Sequence, residues 1–122
     1  MVIRELSESE ADAVFRALGD RTRRDIVRRA IQREQSISEL AAHYAMSFAA
    51  VHKHVAVLER SALVTKSRVG KEQIVRAAPE TLRRATELLG AFEQLWRGRL
   101  ERITEVLSDD APPPRPPRQE SE

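Results

Sequence analysis

From Ser47 to Ala77 the chain changes hydrophobic period, and it does so without a linker. Residues 47–60, SFAAVHKHVAVLER, place Val51, Val55 and Leu58 at the i, i+4, i+7 spacing of a helical stripe. At about 100° per residue the three fall within about 40° of one another. Ala49, His52, Lys53, Ala56 and Arg60 take the opposite arc, with Phe48 at its edge. Ser47 has the short hydroxyl side chain of a helix N-cap. Directly afterwards, Leu63–Arg68 and Glu72–Ala77 are short runs rich in β-branched residues, with Val69 and Gly70 between them. Gly70 can take the positive φ of a tight hairpin. The helix's second side is the unusual part. A solvated arc would hold Glu, Lys and Gln, whereas this one mixes small residues, hydrogen-bond donors and one ring.

Upstream, SEADAVFRALG reads as a helix capped by Ser9, with Val14, Phe15 and Leu18 on one face and Gly19 at its end. Asp20 caps a second helix, DRTRRDIVRRAIQR, whose apolar face is Ile26, Val27, Ala30 and Ile31. Ser38 caps a third, in which Leu40, Ala41 and Tyr44 pack, and a break at residues 45–47 leads into the 47–60 helix. Two short helices across a three- or four-residue turn have helix-turn-helix spacing. With the hairpin added, the expected unit is a winged helix. Pro79 then suits the first turn of a long last helix. Along it Leu82, Ala85, Leu89, Phe92, Trp96, Leu100, Ile103 and Val106 step by three or four, close to a heptad seam. A domain this small cannot cover so long a helix, so a second copy of the chain is its natural partner. The fold class expected is mainly α with a small β-hairpin: a winged helix-turn-helix with a long C-terminal dimerisation helix. Residues 1–8 read as a flexible N-terminal arm, 9–108 as the winged-helix and dimerisation domain, and 109–122, with its APPPRPPRQESE run, as a disordered Pro-rich tail.

Charge narrows the partner. The net charge is only +2, but residues 41–79 carry six Lys and Arg against two acids, while residues 1–12 carry one Arg against four. A basic middle between acidic ends suits a polyanion. No cysteine is present, which excludes disulfides, thiolate metal sites and a cysteine nucleophile. There is no Gly-rich phosphate loop, no convincing acid pair and no nucleophile with a base at useful spacing, so an enzyme is not expected. No long apolar run or signal-peptide pattern is present, and the expectation is a cytoplasmic protein with no membrane contact.

ALGDRTRRDIV, SISELAAHYAMSFAAVHKHVAVLERSALV and KSRVGKEQIV together resemble the ArsR-type (arsenical-repressor-like) winged-helix transcription regulators, in order and with the right spacing, from about Ala11 to Leu107. The resemblance implies a homodimer on operator DNA, usually a repressor, with the second helix of the helix-turn-helix as recognition helix and the terminal helices as dimer contact. Many members release DNA when a metal or other effector binds. The thiolate metal motifs of the founding members are absent here, His52 and His54 point about 200° apart on a helix, and no metal or cofactor is expected. Three departures stand out. Arg21 replaces a common proline, Ala62 replaces the glycine that commonly ends the recognition helix, and Phe48 and His52 replace polar residues typical of the DNA face.

The residues expected on double-stranded DNA are Ser47, Phe48, Ala49, His52 and Lys53 on the recognition helix, Lys66, Arg68 and Lys71 on the wing, and Arg21 and Arg23 at a helix start. Ala49 keeps the leading edge narrow for the major groove, Phe48 can touch thymine methyls, and His52 and Lys53 can donate to guanine or phosphate. The alternatives are that Phe48 packs on the preceding helix, that His52 is merely solvated, and that the wing charges only blunt a strand edge. Arg28, Arg29 and Arg33 are expected to pair with Asp25, Glu34 or Glu39, and His54 to be bonded at the core edge. The expected dimer contact is Val14, Phe15, Leu18, Leu82, Leu89, Phe92, Trp96, Leu100 and Ile103. A two-fold dimer places its recognition helices about 34 Å apart on a palindromic operator. A winged-helix module binding protein, or an activator of the same fold, is the competing reading.

Overall fold

The computed structural model describes residues 5–109. The chain runs α1 (Glu8–Leu18), α2 (Arg21–Gln32), β1 (Gln35–Ser36), α3 (Ile37–Ala41), α4 (Phe48–Arg60), β2 (Val64–Val69), β3 (Glu72–Ala77) and α5 (Pro79–Asp109). It divides within α5 into two compact units, one ending at Leu88 and one beginning at Leu89. Residues 1–4 of the expected arm and all but Asp109 of the expected tail lie outside the described residues.

The first unit is a winged helix. Its core is drawn from α1 to α4, from β2 and β3 and from the start of α5, with Ile26, Ile37, Leu40, Val51, Val55, Leu58, Leu63 and Val75 all at 2% exposure or less. Each large aliphatic side chain buried this way contributes roughly 1.5–3 kcal/mol. The stripe expected on α4 is the buried one. On α1, by contrast, Val14 and Ala17 are buried and Phe15 faces outward. On α2, Ile26, Val27 and Ala30 are buried, but Ile31 is exposed.

Helix starts correct the sequence reading twice. Ser7, not Ser9, caps α1: its hydroxyl accepts from the Glu10 amide while the Glu10 carboxylate accepts from the Ser7 amide. Glu8 is therefore helical rather than part of an arm. Ser36, not Ser38, caps α3 through the same reciprocal pair with Glu39. A glutamate three residues on completes a capping box, and only Ser7 and Ser36 have one. Asp20 and Ser47 cap α2 and α4 as expected, accepting from the Arg23 and Ala50 amides. The turn between α3 and α4 spans residues 42–47, longer than expected, because α3 is only five residues.

The sheet has three antiparallel strands, in the order β1-β3-β2. The sequence reading has two. Gln35 and Ser36 pair with Val75 and Ile74, so β1 seals the inner edge of the wing. Leu63 lies before β2 rather than in it, and Val69 pairs with Glu72, leaving Gly70–Lys71 as the two-residue turn. Gly70 has φ 62°, as the first position of a primed hairpin turn requires.

The second positive φ is at Ala62, 61°. Here the end of α4 closes as a Schellman motif: the Leu63 amide bonds to the Leu58 carbonyl and the Ala62 amide to that of Glu59. Leu58 and Leu63, the two hydrophobic partners of such a motif, are fully buried. An L-residue in this conformation costs about 1–2 kcal/mol, and glycine's extra unfolded-state entropy returns about 0.5–1 kcal/mol of any relief. Ala62→Gly should therefore raise stability by about 0.5–1 kcal/mol, read as a higher urea midpoint at unchanged slope.

The second unit is a single helical segment of α5. Among its described residues Leu89, Phe92, Leu95, Trp96, Leu100, Ile103, Val106 and Leu107 are each 44–70% exposed within one chain. Its ion pair, Arg97 to Glu93 at 2.8 Å, is an i, i+4 contact on the helix itself.

Candidate nucleic-acid interface

Two anchors fix α4. Its inner face is held by Val51, Val55 and Leu58, each without measurable exposure. Its first turn is held by the Ser47 cap, 3.1 Å from the Ala50 amide. The outer face is then determined. Phe48 is 53% exposed and is not among the side chains packed on the core. Its ring lies 6.2 Å from that of His52 with the planes tilted by 50°, so the two form an aromatic pair one turn apart. Ala49 and Lys53 are exposed beside them. Among the described residues Lys53 has no ion-pair partner.

The arginines of α2 divide into two groups. Arg23 sends Nε to the Ala17 carbonyl at 2.8 Å and Nη2 to that of Arg16 at 3.1 Å, and its Nη1 lies 3.4 Å from His54 Nδ1. Arg24 bonds the Leu18 carbonyl at 2.7 Å. Both therefore satisfy orphan carbonyls at the end of α1, and in the chain by itself Arg23, expected on DNA, is engaged there. His54 is held at the core edge as expected, between Arg23 and Asp20, whose Oδ2 is 3.9 Å away. The Arg23 amide bonded to Asp20 holds that carboxyl below its usual value. Arg21 is exposed at the start of α2. Arg28 and Arg29 pair with Asp25 and Arg33 with Glu39, as expected. Glu34 pairs instead with Arg76 on the wing.

Tyr44 ties the α3–α4 turn to α2. Its hydroxyl donates to Asp25 Oδ2 at 2.6 Å, and Arg29 Nε donates to the same oxygen at 2.9 Å. The Tyr44 bond, then that of Arg29, holds the Asp25 carboxyl below its usual value. Burial and the Asp25 contact push the phenol up to about 12. An acid with a lowered folded-state pKa stabilises the fold above its unfolded pKa, about 3.9, and that contribution is lost as pH falls through the folded value. Tyr44→Phe should cost about 1 kcal/mol near neutral pH, with the deficit shrinking as pH drops through that window, measured by urea melts across the acid range.

On the wing, register decides which cations are available. Lys66 pairs with buried Val75, so its stem lies on the inner side of the hairpin, and its Nζ is 3.6 Å from Glu59 Oε1 of α4. The structure thus takes Lys66 out of the tip cluster. Arg68 and Lys71 are exposed there, with Arg68 Nε bonded to the Gly70 carbonyl at 3.2 Å. The dimer residues sort similarly. Val14 is 1% exposed and belongs to the core, and Leu18 and Leu82 pack against that core. Phe15, Leu89, Phe92, Trp96, Leu100 and Ile103 are exposed. No helix among the described residues is long and apolar enough to cross a membrane.

A three-strand sheet beside a helix-turn-helix with an exposed, donor-bearing second helix defines a class, the winged helix-turn-helix proteins. No family model matches the chain. The HTH-type transcriptional regulator YuzN of Bacillus subtilis strain 168 is 41% identical over 71 residues, which cover 52% of this chain and 77% of YuzN. Among solved structures, an ArsR-like transcriptional regulator from Rhodococcus sp. RHA1 is 33% identical with a TM-score of 0.72, over 80% of this chain and 92% of that one. A homodimeric winged helix-turn-helix DNA-binding domain from Mycobacterium bovis has the same fold at 24% identity, with a TM-score of 0.58 over 71% of this chain and 82% of that one. The chain belongs to the ArsR family of transcriptional regulators.

Proposed function

We propose that this protein is a homodimeric repressor that reads a palindromic operator with α4 and grips the flanking phosphates with its wing. The observation that carries the reading is the two-sidedness of α4: one face without exposure, the other presenting Phe48, Ala49 and Lys53 to solvent with the half-buried His52 between them. A helix built this way can approach base edges closely along its Ala49 side. Phe48 supplies apolar contact for thymine methyls, His52 a ring donor for guanine, and Lys53 a charge for phosphate. Ser47 holds the start of the helix in place. Arg68 and Lys71 reach backbone phosphate from the wing, and Arg21 does so from the start of α2.

Dimerisation is supported by the apolar residues of the second unit. Leu89, Phe92, Trp96, Leu100 and Ile103 on one helix form an exposed series larger than a monomer ordinarily leaves in water. A second copy covers it symmetrically, and the Mycobacterium bovis relative is homodimeric.

Binding-site selection tests the division of labour. Lys53→Ala should weaken binding by about 5–10-fold across all sequences and lower the salt slope by about 1. Phe48→Ala and His52→Ala should change the preferred bases. An unchanged selected site in both variants would refute the assignment. Transcription from the bound promoter should rise when the gene is deleted; a fall would make the protein an activator.

A further inference from the structure

We infer that the seam between α1, the end of α4 and the first turns of α5 is a binding site for a small multivalent oxyanion. Two adjoining cavities lie there. One, of about 230 Å³, is lined by Glu10, Arg60, Ser61, Thr81 and Arg84, among others. The second, of about 350 Å³, shares Ala13, Arg60 and Ser61 with it and adds Arg16 and Arg23. Across both, four guanidinium groups face a single carboxylate, that of Glu10.

Arg23 is engaged with the α1 carbonyls, but the other three cations are poorly matched from within. Arg84 meets Glu80 only at 3.6 Å, and its Nε is buried without a hydrogen-bond partner. A buried donor left so costs about 1–3 kcal/mol, more when charged. Among the described residues Arg16 and Arg60 have no ion-pair partner. Thr81 is buried beside them, with no side-chain hydrogen bond among the described residues. Guanidinium forks match the paired oxygens of a carboxylate or phosphate, and a hydroxyl adds a further donor. Ala13 and Leu6 give the floor an apolar portion. The smaller cavity has room for one compact molecule, not for a polymer. Polycarboxylates and phosphate compounds share the required chemistry. An occupant would bridge α1 to residues 60–62, where α4 terminates and Ala62 is strained.

Calorimetric titration of the full chain with citrate and, separately, with pyrophosphate, at constant ionic strength, tests the site. Saturable binding of at least one probe, with a Kd below about 1 mM, is expected. Binding of citrate alone assigns a carboxylate, of pyrophosphate alone a phosphate, and of both a site that reads charge and size. Arg84→Gln should weaken the interaction at least 10-fold, whereas Arg97→Gln, in the second unit, should leave it unchanged. If Arg84→Gln does not fold, Arg60→Gln, at an exposed position, takes its place. Amide exchange should slow at residues 60–63 and 81–84 when the probe binds. No saturable binding of either probe, equal weakening by Arg97→Gln, or protection confined to other segments would overturn the inference.

Discussion

Phe92→Glu leaves the winged helix folded, makes the protein monomeric and lowers operator affinity by at least about 100-fold. Phe92 is 61% exposed in the single chain, so placing a carboxylate there removes nothing from the core of the first unit. In a dimer the same position lies among Leu89, Trp96 and their two-fold mates. Truncating one aromatic anchor commonly costs 2 kcal/mol or more, and an unpaired buried charge costs further. The operator effect follows from geometry. Two linked recognition helices engage half-sites at a mutual effective concentration of about millimolar, and uncoupling them loses about 10²–10⁴ in avidity. Sedimentation of the variant alone, followed by mobility shift on the selected site, checks both halves. An unchanged sedimentation profile would remove α5 from the dimer contact.

Leu58→Ala lowers stability by about 2–5 kcal/mol, a large share of the 5–15 kcal/mol that holds a typical domain. Leu58 is fully buried, and its carbonyl accepts both the Leu63 amide and the Ser61 hydroxyl that close α4. The cavity left behind adds to the lost burial, and the packing of Leu63 over the helix end goes with it. Phe48→Ala, three turns away on the outer face, should change stability by less than about 0.5 kcal/mol. Urea melts of the two variants therefore separate the scaffold side of one helix from its reading side. Similar losses in both would mean that Phe48 is a core residue.

That contrast also shows which parts of the molecule were legible in the chain. The α4 stripe was readable because three apolar residues at helical spacing leave one face no other role. Helix starts were readable only in part: serines two apart compete at Ser7/Ser9 and at Ser36/Ser38, and the glutamate three residues later decides. β1 was not readable, since two residues carry no period. Lys66 and Arg68 differ in availability because Val75 and Glu59 hold the Lys66 stem inward, a matter of strand register and helix packing rather than residue type. Arg23 reaches back six residues to an α1 carbonyl, which depends on the angle between two helices. Asp25 was expected among the partners of Arg28, Arg29 and Arg33, whereas Tyr44, nineteen residues on from Asp25, was assigned only to packing.

The central claim is that two copies place α4 in successive major grooves on one side of a duplex. Hydroxyl-radical footprinting of the wild-type chain on its selected site tests this most directly. Two protected patches are expected, about 10–10.5 base pairs apart and related by a dyad. A single patch, or uniform protection that competitor DNA abolishes, would contradict it.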